Sequence, residues 1–170
     1  MCKQQRAGKW KHDDADLEHM PLTPPCIVRA AQVEDCESMA GLALQLGYEC
    51  TEQEVQRRLL DMQDSRQYIV LVAELAGNRV VGWVTAYIFR TIALETLAEV
   101  SGLIVDETLR SSGIGKRLLG AAEEWARHVG CTAISVHSNV IRDRAHRFYV
   151  NNGFTTLKTQ RVFHKPLSIG

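Results

Sequence analysis

The sequence predicts one layered α/β domain with a central mixed, mostly antiparallel sheet flanked by helices. Three observations predict it. Two apolar, β-rich runs, "YIVLVAEL" (68–75) and "RVVGWVTAYIFR" (79–90), are separated only by Ala76, Gly77 and Asn78, a length and chemistry that suit a hairpin. A third run, "ETLAEVSGLIVD" (95–106), is apolar on nearly both faces at its C-terminal end, as a central strand is. Gly113 to His128 then carries Ile114, Leu118, Ala122, Trp125, Ala126 and Val129 as one helical stripe, with Gly130 beyond its end. Hairpins and helical crossovers that alternate in this way mix antiparallel with parallel pairing.

The remaining elements follow in chain order. Residues 1–25 are polar, lack an apolar period and end in "PLTPP", which favours an extended, flexible N-terminal extension; the domain is expected over 26–170. "CIVRAA" reads as a short strand. Asp35 lies near the start of a helix whose stripe is Cys36, Met39, Ala40, Ala43 and Leu44, and Gly47 stops it. Thr51 with Glu54 three residues on forms a capping box, opening a second helix through Val55, Leu59, Leu60 and Met62. After the long helix come a strand, "CTAISVHS", a short helix from Arg142 to Asn151 closed by Asn152 and Gly153, and one or two strands over Phe154 to His164. The predicted order is βααβββαβαβ.

Composition narrows the function. A chain of 170 residues, 45% hydrophobic, buries one core. Twenty basic residues balance twenty acidic ones, so no global field holds nucleic acid or an anionic membrane. The longest clean apolar stretch, Val80 to Phe89, is about half of the ~20 residues a membrane span requires. Lys3, Arg6 and Lys9 are followed by "KHDDADLEH" and not by an apolar run, which fails as a secretory signal, so the expected address is cytoplasmic. Five scattered cysteines and six scattered histidines suggest neither a disulfide framework nor a metal site.

The chemistry is concentrated in "RSSGIGKRLLG". A phosphate loop of the Walker type needs Gly at Arg110 and Ser or Thr at Arg117, and a dinucleotide fingerprint needs Gly at Leu118, so both fail. Arg-x-x-Gly-x-Gly, after a strand and opening a helix, matches at Arg110, Gly113 and Gly115. Backbone N–H groups of Gly113, Ile114, Gly115 and Lys116 lie at the helix mouth, where the dipole favours an anion such as a diphosphate; Lys116 or Arg110 adds charge. Farther on, "NVIRDRAHRFYVNNGF" places Asn139, Ala145, Phe148, Tyr149, Gly153 and Phe154 along a short helix and its exit.

These two motifs, in this order and separation, resemble the GNAT superfamily of acyl-coenzyme A dependent N-acyltransferases; the resemblance covers roughly Ile27 to Phe163. It implies a GNAT-type layered fold and acetyl-CoA as co-substrate, with no metal. One departure is Ser111, where many relatives carry Gly; its N–H and hydroxyl, with those of Ser112, can still donate to phosphate. The resemblance implies that pantetheine runs along Leu103, Ile104 and Val105, where the strand splays from its neighbour, with Gly102 easing a bulge. It further implies Glu99 as base, Tyr149 as acid toward the leaving thiolate, and Asn139 and Phe148 beside the cofactor. Other readings of the same residues stand: Glu99 as an edge-facing or salt-bridged strand residue, Tyr149 and Phe148 as packing residues, Asn139 as a plain helix-start residue. The basic run Arg142, Arg144, His146 and Arg147 fits cofactor phosphates or a solvated face better than nucleic acid.

The expected reaction is direct transfer of an acetyl group, in a ternary complex, to a primary amine of a small molecule, a lysine or a protein N-terminus. Between Val33 and Ser65 eight acids face two arginines, which favours a cationic amine. The alternative is a non-catalytic acyl-CoA-binding regulatory module. Relatives often pair through their sheets or C-terminal strands, which implies a homodimer.

Overall fold

A computed structural model describes residues 25–93 and 95–167. Its elements are β1 (Cys26–Ala30), a 3-10 turn (Val33–Asp35), α1 (Cys36–Leu46), α2 (Glu52–Gln63), β2 (Tyr68–Leu75), β3 (Arg79–Phe89), β4 (Leu97–Val105), α3 (Ile114–His128), β5 (Ala133–Val136) and α4 (Asp143–Asn151). The five strands lie in one sheet in the order β1-β2-β3-β4-β5. The first three pairings are antiparallel and β4–β5 is parallel, so the expected mixed, mostly antiparallel sheet is formed. The expected N-terminal extension lies, apart from Pro25, outside the described residues.

Each element follows from local chemistry. Leu75 pairs with Arg79 across the three-residue loop, where Gly77 and Asn78 both take positive φ. Thr51 and Glu54 exchange hydrogen bonds as a capping box, leaving α2 with a satisfied first turn. One face of the sheet packs on α3 through Val84, Ala86, Val100, Ile114, Leu118 and Ala122, and Phe148 and Tyr149 of α4 join that cluster. The opposite face packs Val70, Val72, Val80 and Ile104 on Met39, Leu42 and Leu59 of α1 and α2. The result is three layers.

Three expectations need correction. The α1 stripe runs through Cys36, Met39, Leu42 and Ala43, while Leu44 is 60% exposed: the 3-10 turn before the helix fixes its rotation, which periodicity alone could not see. Leu60, expected on the α2 stripe, is 45% exposed beside the buried Leu59. The tenth predicted element is missing: no strand forms over Phe154 to His164, and Leu157, Val162 and Phe163 stand exposed. Its β-branched, alternating composition is only a propensity. A strand needs a partner edge to satisfy its backbone, and among the described residues no backbone hydrogen bond ties this segment beyond Phe154 to the sheet.

β4 carries an irregularity on which the site depends. Thr85 pairs with Gly102 and Ala86 with Val100, so Ser101 is an extra residue, its hydroxyl donating to the Thr85 carbonyl. A Cβ on Gly102 would lie 2.6 Å from the Trp83 ring, and the Trp83 indole N–H donates to the Met39 carbonyl at 3.3 Å. The bulge therefore has a glycine under an indole that α1 holds in place.

At the far edge, Arg29 of β1 donates to Asp35 through both terminal nitrogens and also pairs with Glu74 of β2. Burial pushes the Asp35 carboxyl up, but hydrogen bonds from Arg29 and from the Gln32 N–H outweigh it and hold the group below the ordinary carboxylate range. That stabilisation is complete above the unfolded value, about pH 3.9, and is lost as pH falls through the lower folded one. Asp35→Asn is expected to reduce stability at neutral pH by about 2–3 kcal/mol in urea unfolding, and its deficit against the native chain should narrow in acid. A deficit that does not change with pH contradicts this account of the pair.

Candidate active site

The site begins where β4 and β5 part. Their parallel ladder runs only from Leu97–Ala133 to Val100–Val136. Beyond Val100, β4 continues to Val105 with β3 alone beside it, so the edge at Leu103, Ile104 and Val105 is left without a strand on the β5 side. α1 and α4 reach each other near this opening: an Arg142 terminal nitrogen donates to the Leu46 carbonyl at 3.0 Å, and the Glu107 N–H donates to the Gln45 side chain.

The glycine turn closes one end of β4. Asp106 caps a 3-10 turn (Glu107–Leu109), and Arg110 folds back so that its Nε donates to the Val105 carbonyl at 3.3 Å. Ser112 donates through its hydroxyl to the Leu109 carbonyl. Gly113 is the N-cap of α3, with φ +86°, and a Cβ there would meet nothing within 4 Å. Arg117 supplies the first amide that reaches back to Gly113, so the N–H groups of Ile114, Gly115 and Lys116 precede any intrahelical partner. Open space, a positive dipole end and unpaired donors fit a diphosphate.

The two glycines divide their work. Gly113 supplies a left-handed backbone and unobstructed access. At Gly115 a Cβ would contact the Phe148 ring at 3.4 Å, so this residue lets α4 pack closely. Phe148 therefore faces the turn as a packing residue, edge-on to Tyr149 at 5.2 Å.

Ser111 has φ +70°, a conformation that disfavours side chains with a Cβ. Its hydroxyl accepts a hydrogen bond from Arg144 of α4 at 3.2 Å, which ties this strained serine to α4. Ser111→Gly is expected to leave the denaturation midpoint unchanged or raise stability by up to about 1 kcal/mol, relief of strain offsetting the lost bond. A clear drop in urea unfolding contradicts that balance.

Glu99 lies on the face covered by α1 and α2. Tyr68, Tyr87, Glu99 and Ser135 form one cross-strand row over β2, β3, β4 and β5, and Tyr68 continues the Val70–Val72 side. The Tyr87 hydroxyl donates to Glu99 Oε1 at 2.8 Å, while His137 Nδ1 lies 3.4 Å from the same oxygen. Among the described residues Oε2 has no hydrogen-bond partner. Burial, then the bond to Glu99, pushes the Tyr87 phenol up to about 12, so it stays protonated. Glu99 is thus a paired strand residue, hydrogen-bonded through Oε1.

On the opposite face, Tyr149 is stacked between Phe148 and Phe154, the latter at 5.4 Å. Burial raises its phenol above the ordinary value, with Arg142 opposing, and among the described residues its hydroxyl has no hydrogen-bond partner. It is protonated at neutral pH and free to donate. The Asn139 side chain accepts from the Ile141 N–H as a local turn, and its carbonyl receives His146 and Arg142, which matches the plain helix-start reading. Lys116 is exposed on α3. Tyr87 and His137 were missed by sequence reading. The only signal was strand register, since Tyr87 falls opposite Glu99 and His137 two residues beyond Ser135, its partner on β5.

Among the described residues no helix is long and apolar enough to cross a membrane, and no group of three or more His, Cys, Asp or Glu could hold a metal ion. Cys26, Cys36, Cys50 and Cys131 are free.

Comparison with known proteins agrees with the geometry. The sequence model of the acetyltransferase (GNAT) family matches residues 36–154. An aminoalkylphosphonate N-acetyltransferase of Salmonella typhimurium is 29% identical over 139 residues, 78% of this chain and 87% of that protein. An aminoglycoside N(6′)-acetyltransferase type 1 of Klebsiella aerogenes is 28% identical over 148 residues, 83% and 97% of the two chains. The solved aminoglycoside N-acetyltransferase AAC(6′)-Iy in complex with CoA shares the fold with a TM-score of 0.75 at 17% identity, covering 86% of this chain and 98% of that one. With the family model spanning well over half its length, the chain belongs to the GNAT acetyltransferase family.

Proposed function

We propose that this GNAT acetyltransferase moves the acetyl group of acetyl-CoA directly to the primary amine of a small cationic acceptor, with Glu99 as base and Tyr149 as acid. The observation that carries the reading is that β4 parts from β5 just past Glu99, which leaves Leu103–Val105 without a neighbour on that side. Glu99 stands on the α1/α2 face with one free oxygen, and Tyr149 on the α3 face with a free hydroxyl.

Acetyl-CoA supplies an activated thioester, and this chain's residues do the rest. The first-turn amides of α3 bind the diphosphate, and the unpaired edge Leu103–Val105 lines the pantetheine arm as an added strand would. An alkylamine of pKa ~10.4 is protonated at neutral pH, so Glu99 must take a proton, directly or through water, before the amine attacks the carbonyl carbon. Backbone N–H groups on the β4 edge meet the charge that develops on the carbonyl oxygen. Tyr149, kept protonated by burial, donates its proton to the departing sulfur as the C–S bond breaks, and the second proton that the attacking nitrogen gives up on becoming an amide restores the phenol.

Two observations bear on the acceptor, the first on its size and the second on its charge. Both curated relatives named above are, by name, acetyltransferases of small amines. The acids of Val33–Ser65 outnumber its arginines, although buried Asp35 is consumed by Arg29 and contributes no outward field. A cytoplasmic site of action is our reading of the free cysteines.

Mass spectrometry after incubation with acetyl-CoA and a panel of polyamines, aminoglycosides, amino acids and lysine peptides tests the activity. An enzyme-dependent gain of one acetyl group on a small polyamine or aminoglycoside is expected. Acetylation of peptides alone overturns the acceptor class, and binding of acetyl-CoA without any product favours the regulatory module. Glu99→Gln should lower turnover about 10²- to 10⁴-fold with acetyl-CoA affinity unchanged, and Tyr149→Phe by no more than that range. Full activity in either variant removes that residue from its role.

A further inference from the structure

We propose that His137 is a positioning residue that sets the net charge of the Glu99–His137 pair: neutral, it leaves the carboxylate to an ammonium acceptor, and protonated, it closes on the carboxylate as an ion pair and displaces that acceptor. The proposal rests on the reading of Glu99 as the base.

The geometry is specific. Glu99 Oε1 is approached from two elements at once, by the Tyr87 hydroxyl from β3 at 2.8 Å and by His137 Nδ1 from just past β5 at 3.4 Å. The Glu99 side chain is 13% exposed and that of His137 62%, so the carboxylate is enclosed and the imidazole is its contact with solvent. β5 ends at Val136 where the cleft opens, which puts His137 at the rim beside the parting strands. Tyr87 fixes the carboxylate without changing its charge. His137 can also place a positive charge beside it, because histidine is the side chain that gains a proton between pH 5 and 8.

Of the neighbours on the sheet, Tyr87 on β3 is held protonated far above neutrality, the Tyr68 ring on β2 stands 5.8 Å from the Tyr87 ring, and Ser135 on β5 donates to the Ala98 carbonyl, so among these strand residues the charge is carried by Glu99 and His137. With imidazole neutral the pair carries one negative charge and attracts an ammonium group. With imidazolium the pair is neutral and the attraction is gone.

The test needs no acceptor. NMR titration of the His137 imidazole in the full chain should show a midpoint about two- to fivefold lower in proton affinity in Glu99→Gln than in the native protein, the coupling of a largely exposed ion pair. An unmoved midpoint overturns the proposal. Since His137 is on the surface, His137→Gln should fold normally, and in that variant the Glu99 side-chain carboxyl should titrate at higher pH because the neighbouring positive charge is gone. No movement there also overturns it. The catalytic consequence is read with spermidine as acceptor probe: kcat/KM should fall from pH 8 to pH 5.5 in the native enzyme by about two- to fivefold more than it does in His137→Gln. Identical profiles count against the proposal. Full turnover by Glu99→Gln, with the His137 midpoint shifted, overturns the base assignment instead and leaves the ion pair standing.

Discussion

The site depends on one extra residue in β4. An undisturbed strand alternates faces, so Val100 and Ile104 would share a side. They do not: Val100 packs against α3 and Ile104 against α1 and α2. The bulge at Ser101 reverses the parity between them, which lets both halves of β4 bury apolar residues while Glu99 stays on the α1/α2 face. Trp83 over Gly102 locks this register, since no other residue leaves room for the indole. The same strand thus carries the carboxylate before the bulge and the exposed backbone edge after it.

The short β4–β5 ladder turns this register into a cleft. Four parallel pairs anchor β5, and then the strands separate. The glycine turn follows directly from the freed end of β4, with Arg110 bonded back to Val105 so that strand, turn and helix mouth form one rigid unit. α4 packs on that unit through Phe148 against Gly115 and reaches Ser111 through Arg144. Positions that look independent in sequence, the glycine motif and the later Phe-Tyr motif, are therefore in direct contact, Phe148 lying against Gly115.

Much of this was legible in the sequence wherever the cause is local. The capping box of Thr51 and Glu54, the hairpin loop through Gly77 and Asn78, and the left-handed Gly113 each depend on residues within one turn of the chain. Glu99 was singled out because the family resemblance pointed to it and because a carboxylate within "LAEVSGLIV" is costly to bury. Tyr87 and His137 could not, because they meet Glu99 only through pairings between distant strands and through the bulge that sets their register. Leu44 was misplaced because a preceding 3-10 turn rotates α1. The strand expected over Phe154 to His164 failed for a related reason: its composition suits a strand, but a strand is made by its neighbour.

The central claim is that the cofactor lies in the opening between β4 and β5 with its diphosphate on the mouth of α3. Amide hydrogen exchange with and without CoA tests it most directly. Slower exchange concentrated at Leu103–Val105 and at Ser111–Lys116 is the expected result; protection confined to other elements, or none at saturating CoA, would contradict the account.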